Sequence, residues 1–209
     1  MQNGQKKMNS KTLTQMALLT AIILLMAFTP LGYLRTGVIE ITFIMIPVVI
    51  GAILLGPGCG AALGGVFGIT SFIQCFGMSP LGAMLLQVNW FYTLVVCLVP
   101  RVLMGWLAGL IFKALYKVDR TRLLSFAAAS LSGAVLNTIF FVSALGLLFY
   151  NTVLGMATES GVSVLTFLLS FITLNSILEC AACLIVGTAI AKALYKTVHK
   201  GEAAPAKAA

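Results

Sequence analysis

Arg101 is the one charged residue between Glu40 and Lys113, and it lies in an apolar run, 91–112, directly after Pro100. A guanidinium at the centre of a bilayer costs about 3 kcal/mol on insertion scales, so it must face protein, water or a ligand. Other polar side chains are spaced to meet it. At about 1.5 Å of helical rise per residue, Arg101 stands roughly 16 Å below the start of its apolar segment near Trp90. Asn137 stands roughly 18 Å below the end of the next segment, near Phe149, and Asn175 roughly 18 Å below the start of the last, near Ser163. Glu179 follows Asn175 by one helical turn on the same face. An arginine fork can bond both oxygens of a carboxylate, and a carboxamide can take a hydroxyl or an amide. Glu40, Asn89 and Trp90, with Gln87 and Glu159, gather toward the outer end of the same layer. Two readings fit these residues. One is an internal Arg101–Glu179 ion pair with amide hydrogen bonds around it. The other is an outward-opening pocket in which Arg101 binds an anionic group while Asn137 and Asn175 bind hydroxyl or amide groups. The two overlap, because Glu179 could hold Arg101 until a ligand arrives.

The elements that must position these groups are membrane helices. The chain has 209 residues, of which 60% are hydrophobic and only 9% charged, with a mean hydropathy of +1.08. A water-soluble domain is nearer one quarter charged. Six apolar segments follow one another, at 12–30, 41–55, 59–76, 91–115, 123–149 and 164–194, each compared with the ~20 residues that a span needs. The expected fold is therefore an all-α integral membrane protein with six transmembrane helices. The net charge of +8 is confined to short clusters at the ends of apolar runs, a pattern of membrane topology and not of nucleic-acid binding. Three Lys/Arg lie at the start, four between the fourth and fifth segments and four at the end, against Arg35 alone on the other side, which sets both termini inside. The domain reading is a cytoplasmic lead at 1–11, a six-helix substrate-binding domain at 12–196 and a disordered basic, Ala-rich tail at 197–209.

Small residues mark where helices meet. Ala17 and Ala21, four apart, lie on one face of the first helix and allow close approach, either as packing within the protein or as a flat stripe for a partner helix. Gly60, Gly64 and Gly68 form two overlapping GxxxG patterns, which predict tight packing of the third helix. Pro47 can kink the second. The stretches 32–40, 77–89 and 150–163 read as loops. Cys180 and Cys183 have the spacing of a redox or zinc pair, but no second pair or histidine accompanies them, so they read as packing residues. The single histidine is in the basic tail, and no Walker motif or Ser-His or Cys-His arrangement occurs. The expectation is no enzyme activity, no metal and no cofactor.

The stretch from Glu40 through Pro47, Gly51, Gly56, Gly60 and Gly65 to Gly68 resembles the membrane-embedded S component of an energy-coupling factor (ECF) vitamin transporter. Ala17-Leu-Leu-Thr-Ala21 matches that family's AxxxA docking motif in the first helix, and the similarity extends over nearly the whole chain. The resemblance implies a six-helix substrate-binding subunit in the bacterial plasma membrane. It would work with a transmembrane T subunit and two cytoplasmic ATPases, toppling in the membrane to release its vitamin inside. It further implies that Ala17 and Ala21 face the T subunit and that the loop after the first helix covers the pocket. Among members it is most similar to the pantothenate and riboflavin types. Arg101 favours pantothenate, which offers a carboxylate with hydroxyl and amide groups for Asn137 and Asn175. Riboflavin needs no cation and would stack on aromatics, which Trp90, Tyr92, Phe43 and Phe140 could supply, and folate is also anionic. From other classes, a structural membrane protein would hold only the ion pair, and a proton-coupled secondary carrier would use Glu179 as its proton site.

Overall fold

The computed structural model describes residues 10–198 apart from 31, 37, 38, 118 and 120–122, and gives the backbone alone at 33–36, 39–41, 170–175, 196 and 198. The first helix, α1 (Ser10–Phe28), is followed by a short antiparallel hairpin of β1 (Tyr33–Thr36) and β2 (Ile39–Thr42). Next come α2 (Met45–Leu55), α3 (Pro57–Gln74), α4 (Pro80–Val88), α5 (Trp90–Leu115), α6 (Leu123–Leu148), α7 (Tyr150–Glu159) and α8 (Val164–Ala182). A π-helical turn, Cys183–Gly187, continues α8 into α9 (Thr188–Val198), so the last apolar segment runs on as one interrupted helix.

Among the described residues, four stretches are long and apolar enough to cross a membrane: Ser10–Phe28, Trp90–Leu115, Leu123–Leu148 and Ser176–Tyr195. The expectation for 41–55 needs correcting. Its first residues belong to the hairpin, in which Leu34 pairs with Ile41 and Arg35 with Glu40, a short strand pair in an otherwise helical chain. The helix that remains has eleven residues, about 16 Å, which is short of a ~30 Å hydrocarbon core. Pro47 falls in its first turn, where no helical hydrogen bond is lost, so it introduces no kink. The expected loops at 77–89 and 150–163 contain α4 and α7. Ser79 caps α4 by accepting from the Gly82 N–H at 3.2 Å, with Pro80 at the first helical position.

The core forms around α2. Every residue from Met45 to Ile53 is buried, as an all-apolar helix requires, and α1, α3, α5, α6 and α9 pack around it. The glycine pattern of α3 does what its spacing predicts. A Cβ on Gly60 would collide with the Gly105 carbonyl, one on Gly64 with the Arg101 carbonyl, and one on Gly68 would lie 2.8 Å from the Leu98 Cα. Three successive turns of α3 thus lie directly against the α5 backbone, and the middle contact is at Arg101 itself. Only Leu19, Ile23 and Ala27 of α1 are buried, and its remaining faces point away from the body.

Candidate functional site

The packing of α3 on α5 leaves a cavity of about 130 Å³ between α3, α4, α5, α6, α8 and the end of β2. Arg101 is 8% exposed, Asn137 6% and Glu179 5%, and all three line it. The structure therefore brings together three of the polar groups that helical rise places at one depth. The Arg101 guanidinium donates from Nη1 to the Val96 carbonyl at 2.7 Å. Its Cζ lies 4.8 Å from the centroid of the Phe141 ring and 5.5 Å from that of Phe67, within cation–π range. Its Nε is buried without a hydrogen-bond partner, and so is Oδ1 of Asn137. Among the described residues no carboxylate forms an ion pair with Arg101. Glu179 is held in another way: its Oε1 accepts the Thr42 N–H at 2.9 Å, which fastens the end of the hairpin to α8 across the cavity.

The remaining predicted residues are placed as follows. Asn89 caps α5, its Oδ1 accepting from the N–H groups of Phe91 at 3.0 Å and Tyr92 at 3.2 Å, and it does not line the cavity. Trp90 is 64% exposed on the outside of the same helix end, edge-on to Phe91. Gln87 and Glu159 are exposed. The side chains of Glu40 and Asn175 lie outside the described residues, although both positions are in regular structure, in β2 and α8. Ala17 and Ala21 are exposed on α1.

Sequence reasoning missed the contribution of α3 and several hydroxyls. Phe67, Ser71 and Gln74 line the cavity from α3, and Thr93 lies on the same face of α5 as Arg101, two turns before it. Gln74 donates from Nε2 to the Ala27 carbonyl and so ties the end of α3 to α1. Ser176 donates to the Thr138 hydroxyl at 2.9 Å, linking α8 to α6 at the cavity wall. Cys75 and Cys97 also face it, their sulfurs 3.8 Å apart. The signal for α3 was available: positions 67, 71 and 74 are spaced to share one helix face.

This is a partly open site, apolar over much of its wall, with one cation and scattered hydroxyl and amide groups. Small-molecule pockets have that composition. It contains no nucleophile–base pair among the described residues; it can bind and orient an anionic molecule with polar groups along its length.

The sequence profile described as "ECF transporter, substrate-specific component" matches residues 11–191. Among solved structures, the S-component for biotin from an ECF-type ABC transporter is similar in fold, with a TM-score of 0.58 and 22% sequence identity over 94% of this chain and 95% of that one. No curated protein sequence matches the chain.

Proposed function

This chain belongs to the substrate-specific components of ECF transporters, and on that premise we propose that it captures a carboxylate-bearing vitamin, pantothenate before others, for release inside the cell. The observation that carries the reading is Arg101: a guanidinium almost wholly buried in a cavity, with its Nε unpartnered and no described carboxylate paired to it. A buried cation with no carboxylate bonded to it is costly even with Glu179 across the same cavity, and a ligand carboxylate would supply that bond. Asn137, with its free carbonyl oxygen, asks the same ligand for an N–H or O–H donor. Pantothenate has both. Riboflavin lacks the carboxylate, and the rings it would stack on, Phe67 and Phe141, already stand against the guanidinium. Biotin, the cargo of the similar solved structure, also ends in a carboxylate and is the natural comparison.

The wider reading is six membrane-embedded segments within 12–196, of which α2 is too short to cross alone, both termini inside, in a bacterial plasma membrane. A T subunit and two ATPases supply the energy, with Ala17 and Ala21 on the docking face. Exposure of both alanines on an α1 that buries only one stripe supports that placement. The 1–11 lead, apart from Ser10 and Lys11, and the 197–209 tail, apart from Thr197 and the Val198 backbone, lie outside the described residues.

The test is calorimetric titration of the purified chain with pantothenate, biotin, riboflavin and folate, on wild type and Arg101→Ala. The expected result is tight pantothenate binding that falls by about a hundredfold or more in the variant, as for a lost charge-assisted contact worth about 3 kcal/mol. Riboflavin binding that survives the substitution would overturn the carboxylate reading. Tight biotin binding in place of pantothenate would keep Arg101 and change the vitamin.

A further inference from the structure

Pro100 is buried in the interior of α5, which nevertheless runs unbroken from Trp90 to Leu115. Proline has no N–H, so in a helix the carbonyl four residues earlier loses its donor. For Pro100 that carbonyl is Val96. It is the atom to which Arg101 donates, at 2.7 Å, by folding its side chain back along the helix toward the N-terminus. The two neighbours act together: residue 100 vacates an acceptor, and residue 101 fills it.

We propose that Pro100 is the positioning residue for Arg101, and that the fork it presents selects ligands with two coplanar acceptor oxygens. The guanidinium is planar and its donors are fixed relative to one another. Committing Nη1 to Val96 directs the opposite edge, Nε with Nη2, away from the helix. Nε is the atom left without a partner. The Phe67 and Phe141 rings limit the plane further, at 5.5 and 4.8 Å from Cζ. An arginine pinned at one nitrogen and faced by rings meets a carboxylate without first losing side-chain freedom, so less affinity is given up on binding. A neutral carboxamide offers one acceptor and one donor to the same edge and is refused. The selectivity rests on the proposed carboxylate reading, whereas the pinning by Pro100 does not.

Three forms of position 100 separate the missing N–H from the ring. Proline is the native form. Pro100→Ala restores the N–H and with it the ordinary helical bond to Val96, which favours the helix and offsets the loss of the buried ring, a loss that the third form shares. The α-hydroxy acid analogue of alanine, introduced by nonsense suppression, has neither ring nor N–H. Two readouts are taken on each. The first is the affinity for pantothenate divided by that for its carboxamide. It is expected to fall about tenfold in Pro100→Ala, the scale of one hydrogen bond, and to return with the hydroxy acid. The second needs no ligand: side-chain nitrogen NMR of arginine-labelled protein in micelles, with Arg101 assigned by its loss in Arg101→Lys. Its Nη protons should exchange slowly with proline or the hydroxy acid at 100 and fast with alanine. Unchanged Nη exchange in Pro100→Ala overturns the positioning role. Slow exchange in the native form and fast exchange in Pro100→Ala, with no pantothenate binding to native protein, keeps the positioning role and removes the carboxylate reading. An unchanged ratio with a native-like exchange pattern in all three forms keeps the carboxylate reading and removes the role of Pro100.

Discussion

Gly64→Ala and Gly65→Ala change adjacent residues of α3 by the same methyl group and should have opposite consequences. At Gly65 the nearest atom to an added Cβ is the Val102 Cγ2, at 3.8 Å, an ordinary van der Waals separation. The methyl fills space, and losing a glycine from a helix interior is worth about 0.5–1 kcal/mol. Stability should hold or rise. At Gly64 the added Cβ would stand 2.8 Å from the carbonyl carbon of Arg101 and 3.2 Å from the Cα of Val102, and it would collide with the Arg101 oxygen. All three are backbone atoms that no rotamer change can move. Carbon contacts settle near 3.5–4 Å, so the two helices must part by about 0.5–1 Å at that level. Overpacking of this kind costs about 1–3 kcal/mol. The displaced backbone belongs to the residue that carries the guanidinium, so affinity should fall with stability, by about tenfold or more if one charge-assisted hydrogen bond is lost. Thermal unfolding in a single detergent, with titration of the same samples, reads both quantities. The expected pattern is a Gly64→Ala protein that melts several degrees lower and binds weakly beside a Gly65→Ala protein that matches wild type. Equal melting and equal affinity in the two variants would refute the α3–α5 contact at Arg101.

Two further expectations concern the hairpin and the outer helix. Glu179→Ala leaves the Thr42 N–H without its acceptor, and an unsatisfied buried donor costs about 1–3 kcal/mol, so exchange of the Thr42 amide with deuterium should quicken about ten- to a hundredfold. Glu179→Gln keeps an acceptor oxygen and should keep the protection; unchanged exchange in the alanine variant would show that another contact holds the hairpin. Ala17→Leu and Ala21→Leu place bulk on an exposed stripe of α1, so ligand binding by the isolated chain should stay at the wild-type level while co-purification with the T subunit drops. Undiminished co-purification would move the docking face elsewhere.

The sequence was most legible where chain chemistry changes abruptly. The segments 91–115 and 123–149 correspond to Trp90–Leu115 and Leu123–Leu148 almost to the residue, because charges and caps end them. Hydropathy failed where it ran unlike elements together. Ile39, Glu40, Ile41 and Thr42 alternate as a strand does, but Ile41 also begins an apolar run, and counting from it turned half a hairpin into the start of a span. Ser79-Pro80 is a helix start by composition, yet a nine-residue helix falls below the length at which membrane segments are sought.

The site shows the same division. Counting helical rise from segment ends brought Arg101, Asn137 and Glu179 to one cavity, because long helices convert residue number into depth. The method says nothing about which way a polar residue at a helix end turns. Asn89 lies where a mouth residue should, but the first turn of α5 has backbone N–H groups to satisfy, and they claim its side chain. In α3 the glycines concealed a second pattern. Gly60, Gly64 and Gly68 describe the face that touches α5, while Phe67, Ser71 and Gln74 describe the adjoining face that lines the cavity. One helix thus fixes the backbone beneath Arg101 and also supplies an aromatic ring at its guanidinium, so no change on the glycine face is expected to leave the cavity unaltered.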